Sequence, residues 1–123
     1  MSRDIEWIVE EPVVAAVAAD AARRTPGVVR LETGVGRLVR EWGRARWQQV
    51  KGLTPAPAEG VLVEPAGDAV KVRLGIATAG HTQAAAVARR VQREVRGAVR
   101  RDTGLDVAEV SVAVLDIEPG GVR

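Results

Sequence analysis

The chain has 123 residues, which suits one domain, and its 46% hydrophobic content is enough to build a core. Its 18 Lys and Arg against 16 Asp and Glu leave a net charge of +2, so global charge gives no argument for nucleic acid. With no cysteine, the chain makes no disulfide, thiol nucleophile or thiolate metal site.

The N-terminal stretch "MSRDIEWIVEE" is acidic and lacks the basic start and apolar run of a secretory signal. Within it, Ile5, Trp7 and Val9 alternate with Glu6, Ile8 and Glu10, which predicts a short half-buried strand. "EPVVAAVAADAARR" then predicts a helix. Pro12 suits the first turn, where its missing N–H costs nothing, and acids precede bases along the helix dipole. The longest strongly apolar run, "PVVAAVAA", ends at Asp20. It falls well short of the ~20 residues a bilayer span needs, so no transmembrane segment is expected and any membrane attachment is peripheral.

"TPG" at 25–27 stops the helix, and "VVRLET" (28–33) predicts a strand. After the segment 36–52 comes a proline-interrupted loop, "LTPAPAEG" (53–60). "VLVE" (61–64) and "AVKVRLGIATA" (69–79) predict two strands joined by a turn at "PAGD". In the second, Val70, Val72, Leu74 and Ile76 alternate with Lys71, Arg73, Gly75 and Ala77, the period of a sheet with one buried face. A long helix runs from Thr82, a suitable N-cap, to Asp102, and Gly104 is its natural stop. "VAEVSVAVLDI" (107–117) is the last strand, with Val110, Val112 and Val114 on one face, and 118–123 is a tail. The expected architecture is an α+β two-layer sandwich within a single domain spanning 1–117. A three- to four-stranded mixed sheet has one face covered by two long Ala/Val-rich helices.

Two basic segments stand out. On a helical wheel, Val87, Val91, Val95 and Val99 fall in one arc, and Arg89, Arg93, Arg96 and Arg100 fall opposite it. The valine stripe is narrow and small-sided, which suits packing on a sheet, so the arginines face outward. That ridge is either a solvated helix face or a contact for an acidic partner, a phosphate surface or the acidic end of another copy. The other segment, "GRLVREWGRARWQQVKG" (36–52), places Leu38, Val39, Trp42 and Val50 against Arg37, Arg40, Arg44 and Lys51; Arg46 breaks the apolar side and Trp47 sits at the boundary. Tryptophan among arginines suits a partner surface or a membrane interface. Arg37, Arg40, Trp42, Arg44, Arg46 and Trp47 are the first candidate contact, and Arg89, Arg93, Arg96 and Arg100 the second. Residues 1–20 are acid-rich (Asp4, Glu6, Glu10, Glu11 and Asp20 against Arg3), a polarity that suits head-to-tail self-association or an anionic surface.

Catalytic and metal constellations are missing. His81 is the only histidine, too few for a zinc site without cysteine, and the serines are Ser2 and Ser111 alone. "GVGRLV" is short of a dinucleotide fingerprint, and there is no Walker-type Gly-Lys-Ser/Thr. No catalytic residue, cofactor or metal is expected, and the chain reads as a non-enzyme. The Gly-x-x-Gly clamp of KH-type RNA binders is absent as well.

Several stretches, in order, resemble the bacterial alkaline-shock-protein family, also called the general or envelope stress response family. They are "EEPVVAAVAADAARRTPGVV", "VKVRLGIATAG" and "VARRVQREVRGAVRRDTGLDVAEVSVAV". The resemblance covers about residues 7–116 and implies a small, non-enzymatic cytoplasmic protein of cell-envelope homeostasis. It also implies a place at the inner face of the membrane through a small membrane-anchored partner, and self-association into a homo-oligomer. The tryptophan–arginine segment departs from the family pattern. The leading expectation is therefore a scaffold or interaction protein of the envelope stress response. The alternative is a nonspecific nucleic-acid-binding module using the basic helix faces, with affinity that falls steeply with salt.

Overall fold

The computed structural model describes residues 11–32 and 60–119. The predicted strand over 5–9, the segment 36–52 and all but the last residue of the 53–60 loop lie outside them. In chain order come α1 (Glu11–Arg23), β1 (Val28–Glu32), β2 (Val61–Ala66), β3 (Ala69–Ala79), α2 (Ala84–Thr103) and β4 (Asp106–Glu118).

Strand β3 organises the sheet. One of its edges pairs with β4 in parallel over its whole length, from Ala69↔Asp106 to Ala79↔Glu118. Its other edge is divided. Strand β2 pairs antiparallel with Ala69 to Leu74, and β1 pairs antiparallel with Gly75 to Thr78. The sheet is therefore mixed, and α2 is the crossover that parallel strands require. The register along the divided edge is continuous: Glu32 faces Gly75, and Val61 faces the next residue, Leu74. Strands β1 and β2 are thus two halves of a single strand line, and the chain between them leaves and re-enters at one point.

The alternation predicted for β3 explains the core. Val70, Val72, Leu74 and Ile76 are buried together with Val61 and Val63 of β2 and Val110 of β4. The same cluster holds Val14, Ala15, Ala18, Ala19 and Ala22 of α1 and Val87, Val91, Val95, Ala98 and Val99 of α2. Full burial of a valine- or leucine-sized side chain stabilises by roughly 1.5–3 kcal/mol, so these residues dominate the fold's stability. Alanine on α1 adds little area but lets the helix approach closely. One buried group departs from the pattern. Thr78 is fully buried and its hydroxyl has no hydrogen-bond partner among the described residues. Thr78→Val keeps the shape and removes a desolvated hydroxyl, so the thermal midpoint should rise, by about 1 kcal/mol in stability. A clear fall in midpoint would mean that the hydroxyl is hydrogen-bonded in solution.

Element ends correct the sequence reading in detail. Thr82 does not cap α2: its hydroxyl donates to the Ala79 carbonyl at 2.7 Å, and Gln83 takes the cap position with no side-chain cap bond. Thr82 thus closes the turn that leaves β3 instead of opening the helix. At the other end Gly104 sits in the left-handed region, and its N–H donates to the Arg100 carbonyl, the expected stop. The helix extends through Thr103, whose hydroxyl donates to the Val99 carbonyl and accepts from Leu105 N–H. Strand β2 runs on through Pro65 to Ala66, leaving only Gly67 and Asp68 for the turn. Pro65 has no N–H to give a ladder, but it stands exposed near the end of an outer strand, where proline is tolerated.

Strand β4 is the other outer strand. Its pairing with β3 is irregular twice, between Val70/Lys71 and between Ile76/Ala77, where Ala108 and Leu115 are the extra residues. Every charged residue on β4 is acidic (Asp106, Glu109, Asp116 and Glu118). Bulges and like charges both discourage edge-to-edge pairing with another copy of the same strand.

Candidate interaction surface

Helix α2 presents two chemically opposite sides. Val87, Val91, Val95, Ala98 and Val99 are buried, while Arg89, Arg93 and Arg96 on the far side are exposed. The separation follows from the ~100° step per residue, which puts these arginines on one line along the helix. The remaining arginines of α2 are engaged locally. Arg100 pairs with Asp106 at the start of β4, and Arg101 Nε lies 3.4 Å from the Asp102 carboxylate. Arg90 Nη1 reaches the Pro26 carbonyl at 3.5 Å. Arg89, Arg93 and Arg96 have no such partner among the described residues. Of the four arginines predicted as a ridge, three therefore stand clear. Arg100 shares their face but is drawn to the C-terminal end by Asp106.

The first turn of α2 contains no acidic residue. The partial positive charge of the helix N-terminus is thus left uncompensated on the same element as Arg89 and Arg93. The predicted contact residues Arg37, Arg40, Trp42, Arg44, Arg46 and Trp47 lie outside the described residues.

The opposite sheet face carries a cluster that the sequence reading missed. Arg30 of β1 donates to Glu118 at 2.6 Å and to Asp116 at 3.0 Å, and its Nε lies 2.9 Å from Glu32. Arg30 faces Ala77, whose small side chain leaves room for the guanidinium to cross β3 and reach β4. The carboxylates hold the guanidinium above its ordinary pKa, first through the Glu118 hydrogen bond and then through the charge of Glu32. Simple alternation along β4 would put Asp116 and Glu118 on the face of Val110, Val112 and Val114, but the bulge at Leu115 turns them to the face of Arg30. Only the register shows that they meet. Further along the same face, Arg73 lies 3.6 Å from Glu64 and Lys71 lies 3.9 Å from Glu109. These charges are matched to one another, whereas the α2 row has no matching acid among the described residues.

The isolated polar residues do not converge. Ser111 faces Arg73 in the ladder and donates to Glu109, while His81 is exposed beyond the far end of β3. Six strand residues, ~20 Å, separate Arg73 from Ala79 at that end. Among the described residues no three His, Cys, Asp or Glu side chains are grouped to hold a metal. No helix among them is long and apolar enough to cross a membrane.

Comparison with protein families gives one match that spans nearly the whole chain: the model of the alkaline shock protein 23 family covers residues 2–119. The chain belongs to that family. The family is described as having a cell envelope-related function. Comparison with curated proteins yields no match. Among solved structures, MamM-CTD is similar at 13% identity and a TM-score of 0.50, over 87% of this chain and 99% of that one. A single-substitution variant of MamM-CTD gives the same TM-score, identity and coverage. At that identity the likeness concerns the fold alone. It places this alkaline shock protein family member among small α+β domains with a comparable arrangement of helices and strands.

Proposed function

We propose that this protein is a non-enzymatic scaffold of the bacterial envelope stress response, held peripherally at the inner face of the cytoplasmic membrane through a protein partner. Membership of a family with cell envelope-related function supports the setting. The observation that carries the mode of action is the row of Arg89, Arg93 and Arg96, exposed and unmatched on a helix whose other side is committed to the core. A two-layer sandwich, with both helices over one sheet face, makes such a helix part of a rigid slab with its charges outward. The segment bearing Arg37, Arg40, Trp42, Arg44, Arg46 and Trp47 supplies the second contact, where tryptophan provides area and arginine orientation. A small membrane-anchored protein suits that combination, and self-association would multiply weak contacts.

The test is fractionation of native cells followed by a salt wash of the membranes. The protein is expected in the membrane fraction, released by high salt or by loss of its partner, because contacts between exposed charges are screened. A wholly soluble, monomeric protein under every growth condition would sink the proposal.

A further inference from the structure

We infer that the α2 row of Arg89, Arg93 and Arg96 docks directly on the anionic phospholipid headgroups of the membrane surface. The inference rests on the proposed envelope role and adds a lipid contact to it.

Three features of the row favour a flat, charged occupant. The first is spacing. At ~1.5 Å of rise per residue, the guanidiniums lie along a straight line of about 10 Å on one helix face. The second is what stands between them. The other α2 positions in or beside their arc are Ala85, Ala86, Gly97, Thr103 and the engaged Arg100, so no bulky apolar side chain stands between the arginine tips. A Cβ added at Gly97 would meet open space. A planar surface can therefore approach the whole row at once. The third is charge. The acids nearest on the helix are off the line: Glu94 lies at least a quarter-turn away, and Asp102 is paired with Arg101. On neighbouring α1, Asp20 is already paired with Arg24 at 2.8 Å. The row thus presents charge of one sign without a counterion among the described residues.

Lipid headgroups fit this pattern better than nucleic acid. They are mobile in the plane and can settle under each guanidinium, whereas single strands are gripped through aromatic stacking, and no aromatic residue lies on α2. The anionic surface attracts each basic residue by about fivefold in affinity, so three together contribute on the order of a hundredfold. That is too weak to hold a protein permanently. It is suited to orienting the helix layer toward the membrane once a partner has brought it there.

The experiment uses the purified full chain, with cosedimentation on phosphatidylglycerol vesicles and on phosphatidylcholine vesicles at low salt. Binding is expected to phosphatidylglycerol only, with release at high salt. The triple variant Arg89→Gln, Arg93→Gln, Arg96→Gln should lose on the order of a hundredfold in affinity. The triple change to lysine should retain most of it, which excludes a merely structural loss. Retained binding by the glutamine variant would assign the contact elsewhere and overturn the inference. So would tighter, equally arginine-dependent binding to duplex DNA under the same conditions. A protein that ignores phosphatidylglycerol vesicles yet stays with native membranes overturns the lipid contact and leaves the scaffold role standing. Vesicle binding by a protein never found on native membranes supports the lipid chemistry of the row and sinks the scaffold role instead.

Discussion

Joining Glu32 directly to Val61, with residues 33–60 deleted, is expected to give a chain that still unfolds cooperatively but no longer recovers its partner. The expectation comes from the register. Glu32 faces Gly75 and Val61 faces Leu74, so the junction places consecutive residues opposite consecutive residues of β3. The alternation also survives: Leu31 packs against the core, Glu32 joins the Arg30 cluster, and Val61 is fully buried. A one-residue slip would send every side chain of β2 to the wrong face, and this junction avoids it. Removing the excursion also removes its closure entropy, roughly 3 kcal/mol for a loop of this length. Loss of partner recovery follows if the proposed second contact, through Arg37, Arg40, Trp42, Arg44, Arg46 and Trp47, is required to hold the partner. Urea unfolding followed by circular dichroism, with partner pull-down alongside, reads both halves. A product without a cooperative transition would show that 33–60 belongs to the core.

Gly60→Ala in the full chain should be the most damaging replacement among the described glycines, costing about 2–4 kcal/mol. Two causes add. Gly60 has φ +83°, in the left-handed region, where a side chain costs ~1–2 kcal/mol. A Cβ there would also collide with the backbone carbonyl oxygen of Glu32, which cannot swing aside as a flexible side chain can. The clash falls at the point where the excursion rejoins the strand line, so relieving it means shifting β1 against β2. For a domain with typical stability of ~5–15 kcal/mol this is a large fraction. Gly97→Ala is the matched control. Gly97 lies within α2, has open space around it and lacks a positive φ, so alanine should stabilise by up to ~1 kcal/mol. Equal midpoints for the two variants would refute the steric argument at Gly60.

Much of the fold was readable from periodicity. The alternation of Val70, Val72, Leu74 and Ile76 with polar and small residues identified β3 and its buried face, and the valine spacing of α2 identified its core side. Those signals are legible because burial acts on every second or every third-to-fourth residue. The unreadable parts depend on where a partner lies. Thr82 has the chemistry of a cap, but its hydroxyl finds the Ala79 carbonyl first. Pro65 argued for ending β2 early, yet the outer position of that strand tolerates it. Arg100 belongs to the basic row by angle and leaves it by proximity to Asp106, a residue of the next strand. The cluster of Arg30 with Glu32, Asp116 and Glu118 joins opposite ends of the chain, and no local pattern announces such a meeting. Family membership supplied what neither pattern nor geometry contains, the envelope setting.

The division of the β3 edge between two strands also bears on the order in which the molecule assembles. Strand β2 is joined to β3 by a two-residue turn, so that hairpin closes a short loop and can form within microseconds. Strands β1 and β4 come from the two ends of the chain and must each close a long loop before their pairing with β3 yields any return. The hairpin is therefore the natural nucleus. The flanking strands, with the Arg30 cluster that ties them to each other across β3, arrive late and together. Late-forming contacts govern unfolding more than folding. On this account the docking of β1 and β4, through Leu31 and Val110 at the core, sets how long the folded protein persists, while the valine core of the hairpin sets how quickly it appears.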